Sequence, residues 1–269
     1  MRRVAWRVAL GTVALATAVA AQDWRWAPEP RLPPETPTDR AFTFCRLMYD
    51  RVRTENGGRG WRTDFPWAEI NLMTRLADLT KIGISRDGGG EPNHYVVPLT
   101  DRRLFTCPFL MATDVGTMGL SPEEAVALRA YLLKGGFLWV DDFWGEAAWG
   151  QWTHEIAQVL PPGEYPIQDV PLDDPVFSAL YNVEHVPQIT SIQFWRGSGG
   201  VTTSERWDSQ VPHARAIRDA RGRIIVFMTH NTDISDAWER EGDDEAYFFQ
   251  FAHDGYAVGI NVVLHAMSH

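Results

Sequence analysis

Leu132-Leu133-Lys134-Gly135-Gly136-Phe137-Leu138-Trp139-Val140-Asp141-Asp142-Phe143-Trp144-Gly145 is the stretch from which the fold can be read. A helix ends at Leu133, with Lys134 complementing its C-terminus and Gly135-Gly136 stopping it. An apolar strand, Phe137–Val140, follows at once. Upstream, Phe109–Thr113 (FLMAT) is another apolar strand. Ser121-Pro122-Glu123-Glu124 opens the intervening helix with a cap, a proline in the first turn and two acids at the positive dipole end. Strand–helix–strand with short connections is a parallel crossover unit. Asp141-Asp142 therefore falls at the carboxyl end of a parallel strand, the edge where open α/β sheets bind ligands.

The same pattern extends outward. Phe42–Met48 (FTFCRLM) reads as a buried strand, broken by Asn56-Gly57-Gly58-Arg59-Gly60. Asp64 is placed to cap a helix running to about Thr80. Residues 94–99 form a short strand, and a helix spans Gly145 to Leu160. Asp173-Asp174-Pro175 starts a helical turn. Thr190–Trp195 and His213–Arg218 read as strands, and Ala220-Arg221-Gly222 turns into the strand Arg223–Thr229. A terminal helix lies within Glu245 to Met267. There is no internal repeat.

With 269 residues, 45% of them hydrophobic and 22% charged, the chain has the composition of a globular protein with a sizeable core. A net charge of −10 argues against a nucleic-acid binder, which would show a basic face. Residues 1–21 read as a secretory signal peptide: Arg2, Arg3 and Arg7, an apolar run from Val8 to Ala20, and the small-residue site Ala18-Val19-Ala20, with Val19-Ala20-Ala21 as the alternative. An uncleaved anchor is the competing reading. The run is short for a span of about 20 residues, so no stable membrane span is expected after cleavage. The localisation expected is periplasmic or secreted. Residues 22–40, with five prolines, form a Pro-rich tether. Residues 41–269 form a single α/β domain. Export allows Cys45 and Cys107 to pair, and two separate buried thiols fit equally well.

Several segments resemble the bacterial domain-of-unknown-function family 4159. They are Gly60-Trp61-Arg62-Thr63-Asp64-Phe65-Pro66, the Leu132–Gly145 stretch, Pro171-Leu172-Asp173-Asp174-Pro175-Val176-Phe177, His230-Asn231-Thr232-Asp233 with Asp236-Ala237-Trp238-Glu239, and Gly259-Ile260-Asn261. The resemblance implies a three-layer sandwich with a mainly parallel, flavodoxin-like sheet, similar to class I glutamine amidotransferases and their trehalose-utilisation relatives. It implies no activity. Amidotransferases carry a nucleophilic Cys on the turn after the elbow strand. Here that turn reads Asp141-Asp142-Phe143, so a Cys–His–Glu triad is not expected, and no G-x-S-x-G offers a serine.

The candidate catalytic groups are Asp142, Asp141 and His230, acting as base, metal ligand or hydroxyl acceptor. Helix capping is the bland reading of the acids, and a satisfied core position that of His230. Trp61, Arg62, Asp114, Trp144, Asn231 and Asp233 are the candidate ligand contacts. A His/Asp/Asp set suits a divalent cation or the hydroxyls of a sugar, and no spacing fixes a metal set. No cofactor is otherwise expected. The Gly57–Gly60 loop can cradle an anion with Arg59 or Arg62 as its partner. Twelve Trp suit sugar stacking, core packing or a protein interface. The function expected is an exported, non-enzymatic module binding a small polar ligand, carbohydrate among them, or an envelope protein. The alternative is a hydrolase or carbohydrate-processing enzyme using Asp141 or Asp142 with His230.

Overall fold

The computed structural model describes residues 29–37, 39 and 41–268. The signal-peptide reading lies outside these residues. No helix among them is long and apolar enough to cross a membrane. Residues Arg31–His269 make one compact unit. The described part of the Pro-rich segment runs beside the domain: the Arg31 carbonyl accepts from Val96 N at 2.8 Å, and Asp39 accepts from Ser85 Oγ at 3.1 Å.

The chain begins with β1 (Phe44–Met48) and β2 (Asp50–Arg51), then α1 (Trp67–Leu79), β3 (His94–Pro98), β4 (Phe109–Thr113) and β5 (Met118–Gly119). Next come α2 (Pro122–Leu133), β6 (Phe137–Asp141), α3 (Gly145–Val159), β7 (Gln168–Asp169) and α4 (Ile192–Gly197). The strands β8 (His213–Arg218) and β9 (Ile224–His230) and the helices α5 (Asp236–Glu239) and α6 (Glu245–Met267) complete it. Seven strands form one sheet in the order β3-β1-β4-β6-β9-β8-β7. The first five are parallel, and β8 and β7 add on antiparallel. A two-stranded ribbon of β2 and β5 ties the loops after β1 and β4 together.

Strand alternation builds two cores. Phe109, Met111, Phe137, Trp139 and Phe227 pack on one face under α1 and α6. Leu110, Ala112, Leu138, Val140 and Met228 pack on the other under α2 and α3. The expected crossover is present, and Ser121 and Glu124 close a reciprocal capping box on α2. On the second face Cys45 of β1 is joined to Cys107 by a disulfide.

Two expectations are corrected. Thr190–Trp195 is not a strand: Ser191 accepts from Phe194 N at 3.3 Å and starts α4. The run is rich in β-formers, yet the serine cap overrides that weak preference. Asp64 does not cap α1, whose N-terminus follows Pro66 without a side-chain cap. Its carboxylate is used elsewhere.

Candidate functional site

Each parallel strand around the sheet centre delivers an acid to its carboxyl edge. Asp114 follows β4, Asp141 ends β6, and Asp142 follows it. Asp233 and Asp236 follow β9, and Asp64 lies in the loop after β1. Asp64, Asp114, Asp142 and Asn231 have positive φ, of 65°, 54°, 52° and 62°. Asp and Asn tolerate this left-handed region better than other side-chain-bearing residues, and such residues gather at functional edges. The loops are laced by their backbones: Asp114 N donates to the Asp142 carbonyl and Asn231 N to the Phe143 carbonyl, each at 3.0 Å.

Between them is a cavity of about 280 Å³. Asp64, Asp114, Asp142, Asp233, Asp236 and Glu239 line it, together with Glu55 and Glu205. Arg59, Arg62, Arg206 and Arg240 supply the basic groups, and Phe143 and Trp144 an aromatic wall. Most of the arginines are already engaged. Arg240 pairs with Glu239 at 2.5 Å and Asp236 at 3.8 Å, and Arg206 with Glu205 at 3.5 Å and Glu55 at 3.8 Å. Arg62 lies over the Trp61 ring at 4.2 Å. Among the described residues, Asp64, Asp114, Asp142 and Asp233 have no ion-pair partner.

Burial and mutual repulsion favour the protonated form of these acids. Asp64 is pushed up to about 8, first by burial and then by Asp236. Burial raises Asp114 to about 6, Asp141 to about 6 and Glu239 to about 7. Asp142 is driven well up by burial and then by Asp64 and Asp114. Asp233 is driven well up by burial and then by Asp142 and Asp64.

Asp141 and Asp142 have different duties. Asp141 is fully buried and accepts from Thr229 Oγ1 at 2.5 Å and from Ser235 N at 2.9 Å, which fixes the loop after β9. Asp142 lines the cavity and accepts from Trp144 Nε1 at 3.0 Å. His230 is not brought to either. It is 2% exposed and does not line the cavity, and its Nε2 meets the Gly145 carbonyl at 3.2 Å. Its Nδ1 meets Arg215 at 3.2 Å, and the ring packs against Phe143 and Trp149. Burial lowers its pKa to about 4, so the ring is neutral at pH 7.

Of the expected ligand contacts, Arg62, Asp114, Trp144 and Asp233 line the cavity. Trp61 does not; it packs on Phe65 and the second core. Asn231 holds the backbone instead, accepting from Gly145 N at 2.8 Å and donating to the Val211 carbonyl at 2.9 Å. The glycine loop holds an internal anion, since Gly60 N donates to Asp114 Oδ2 at 2.7 Å.

Asp236, which follows the same late strand as Asp233, lines the cavity with it; sequence reasoning missed Asp64 as a cavity residue, and it missed Ser235, Glu239 and Glu205 as site residues. Asp64 lies more than 160 residues from Asp233, so nothing local joins them. Arg46 of β1, fully buried, donates to the Thr63 carbonyl at 3.0 Å and to Thr113 Oγ1 at 2.7 Å, and pairs with Glu69 of α1. That grip places the Asp64 turn over the sheet end. One oxygen from each of Asp64, Asp233 and Asp236 falls within 4.8 Å of the others, close enough for one metal ion.

The family model described as a domain of unknown function, DUF4159, matches residues 43–267. The chain belongs to the DUF4159 family. The match spans the sheet, both helical faces and every cavity-lining acid. No curated protein matches the chain.

Proposed function

We propose that this DUF4159 chain is an exported, non-enzymatic module that binds a small polar ligand in the carboxyl-edge cavity. The observation that carries the reading is the cavity itself: four strand-end loops converge on it, and Asp64, Asp114, Asp142 and Asp233 face it without ion-pair partners. Among the five parallel strands the order is second-first-third-fourth-fifth, the flavodoxin-like order. It puts a topological switch point between β1 and β4, where such sheets take ligands. A class I glutamine-amidotransferase-like ancestry accords with that order. Amidotransferase chemistry does not, because Cys45 and Cys107 are tied to each other and Asp142 occupies the elbow turn. Export is supported by that disulfide, which suits an oxidising compartment.

The hydrolase reading asks for His230 beside Asp141 or Asp142, and both ring nitrogens of His230 are engaged elsewhere. A protein partner from the envelope is the second reading. Trp207, 87% exposed, follows the cavity residue Arg206 and offers an aromatic anchor at the rim.

The test is thermal melting of the chelator-treated protein against a panel of monosaccharides, amino acids and small amines. A bound ligand raises the midpoint, by about 2.7 kcal/mol of stabilisation at a hundredfold excess over Kd. A rise that disappears in Asp142→Asn supports the cavity. A rise unchanged in that variant places the ligand elsewhere and refutes the assignment.

A further inference from the structure

We infer that the inner end of the cavity is a site for a hard divalent cation of the calcium or magnesium class, held by Asp64, Asp233 and Asp236. The inference rests on reading the cavity as a ligand site and names what its deepest part takes.

Three observations point to it. Asp233 is 3% exposed and lines the cavity, yet only its Oδ1 is engaged, by Ser235 Oγ at 3.1 Å and Asp236 N at 3.0 Å. Its Oδ2 takes no hydrogen bond among the described residues and is not sealed from the cavity. This oxygen therefore faces the cavity with no protein donor and is free to take a cation or a donating ligand.

The second observation is a proton count. Ser235 Oγ is 2.9 Å from Asp64 Oδ2, 3.1 Å from Asp141 Oδ2 and 3.1 Å from Asp233 Oδ1. A hydroxyl carries one proton, so it donates to one of these carboxylates only. The other two contacts bring oxygen lone pairs together unless a carboxyl is protonated or a cation screens them. Among the described residues neither Asp64 nor Asp233 forms a salt bridge, and the buried Arg46, itself paired with Glu69, acts on Asp64 only at longer range.

The third is the donor set. One oxygen of each triad member lies within 4.8 Å of the others. Calcium binds oxygen at about 2.3–2.6 Å, so oxygens up to about 5 Å apart can share one ion. All three donors are carboxylates, with no imidazole or thiolate, which selects hard cations over zinc or copper. The cavity leaves room for water or for hydroxyls of the polar ligand to complete the shell.

Isothermal titration of the chelator-treated protein with CaCl2, and separately with MgCl2, tests this. One ion per chain is expected, with heat abolished in Asp233→Asn and in Asp64→Asn. Those variants remove like-charge repulsion, so their melting midpoints should equal or exceed that of the unmodified protein, which separates lost binding from lost folding. No heat with either cation up to about 10 mM, well above the Kd of extracellular calcium modules, overturns the site. Undiminished binding in Asp233→Asn also overturns it. If an organic solute shifts the melt through Asp142 while neither cation binds, the cation falls and the cavity reading stands. If nothing in either experiment binds, both fall.

Discussion

Ser235 Oγ lies 2.9 Å from Asp64 Oδ2, joining the loop after β9 to the loop after β1 across 171 positions of sequence. The contact closes one side of the cavity and brings Asp64 to Asp233 and Asp236. It spans β4 and β6, whose own acids, Asp114, Asp141 and Asp142, lie between.

Ser235→Ala should therefore loosen the site more than the fold. The Ser235 backbone N–H still reaches Asp141. One buried hydroxyl contact is lost, worth about 1–2 kcal/mol. Urea unfolding should report that drop, and cation binding should weaken at least tenfold because Asp64 is no longer tethered. Full cation affinity in Ser235→Ala would show that the tether does not position Asp64.

Gly58→Ala should be poorly tolerated. A Cβ at residue 58 would overlap the Asp114 carboxylate. Asp114 also accepts from Gly60 N, so the loop over the cavity cannot simply lift. The expected cost is about 1–3 kcal/mol, as for other overpacked positions. Asp114→Ala added to it should recover part of the loss, a coupling that a double-mutant cycle measures.

Asp114 gives a pH dependence with a definite sign. Burial first, opposed by the Gly60 N–H, pushes its pKa up to about 6, against about 3.9 for an unfolded Asp. The folded state then holds the proton more tightly. The group's contribution is fully present below about pH 4 and is lost as pH rises to about 6. Two pKa units correspond to about 3 kcal/mol. Asp114→Asn should flatten the stability profile across that window in urea titrations from pH 4 to 7. A profile as steep as that of the unmodified protein would assign the slope to other acids.

Cys45 and Cys107 close a loop of 62 residues. The chain-entropy argument gives about 4 kcal/mol for a loop of that length. The Cys45→Ala/Cys107→Ala double variant should lose stability on that scale while retaining ligand binding, since neither residue lines the cavity. Equal stability with and without the disulfide, by calorimetry, would contradict it.

The framework was legible in the sequence because its signals are local. Phe109–Thr113, the Ser121 cap and Gly135-Gly136 mark strand, helix start and helix end without reference to the rest of the chain. Asp114, Asp142 and Asp233 followed from them as strand-end acids. What was not legible depends on chain direction after the strand ends. His230 has the residue type for the site, but it ends β9 on the far side from Asp141 and is held by Gly145 and Arg215. Asp64 has the sequence look of a helix cap, and long-range contacts, of Arg46 and Thr113 with Thr63 and of Ser235 with Asp64 itself, turn it to the cavity. Ser191 hid α4 inside a run of strand formers.

The central claim, that Asp64, Asp233 and Asp236 form a cation site at the carboxyl edge, is tested most directly by diffraction from crystals grown with MnCl2, manganese standing in for the hard cation. An anomalous peak bounded by Asp64, Asp233 and Asp236 is the predicted result. Manganese bound only at surface carboxylates, with the triad unchanged and no peak in the cavity, would contradict it.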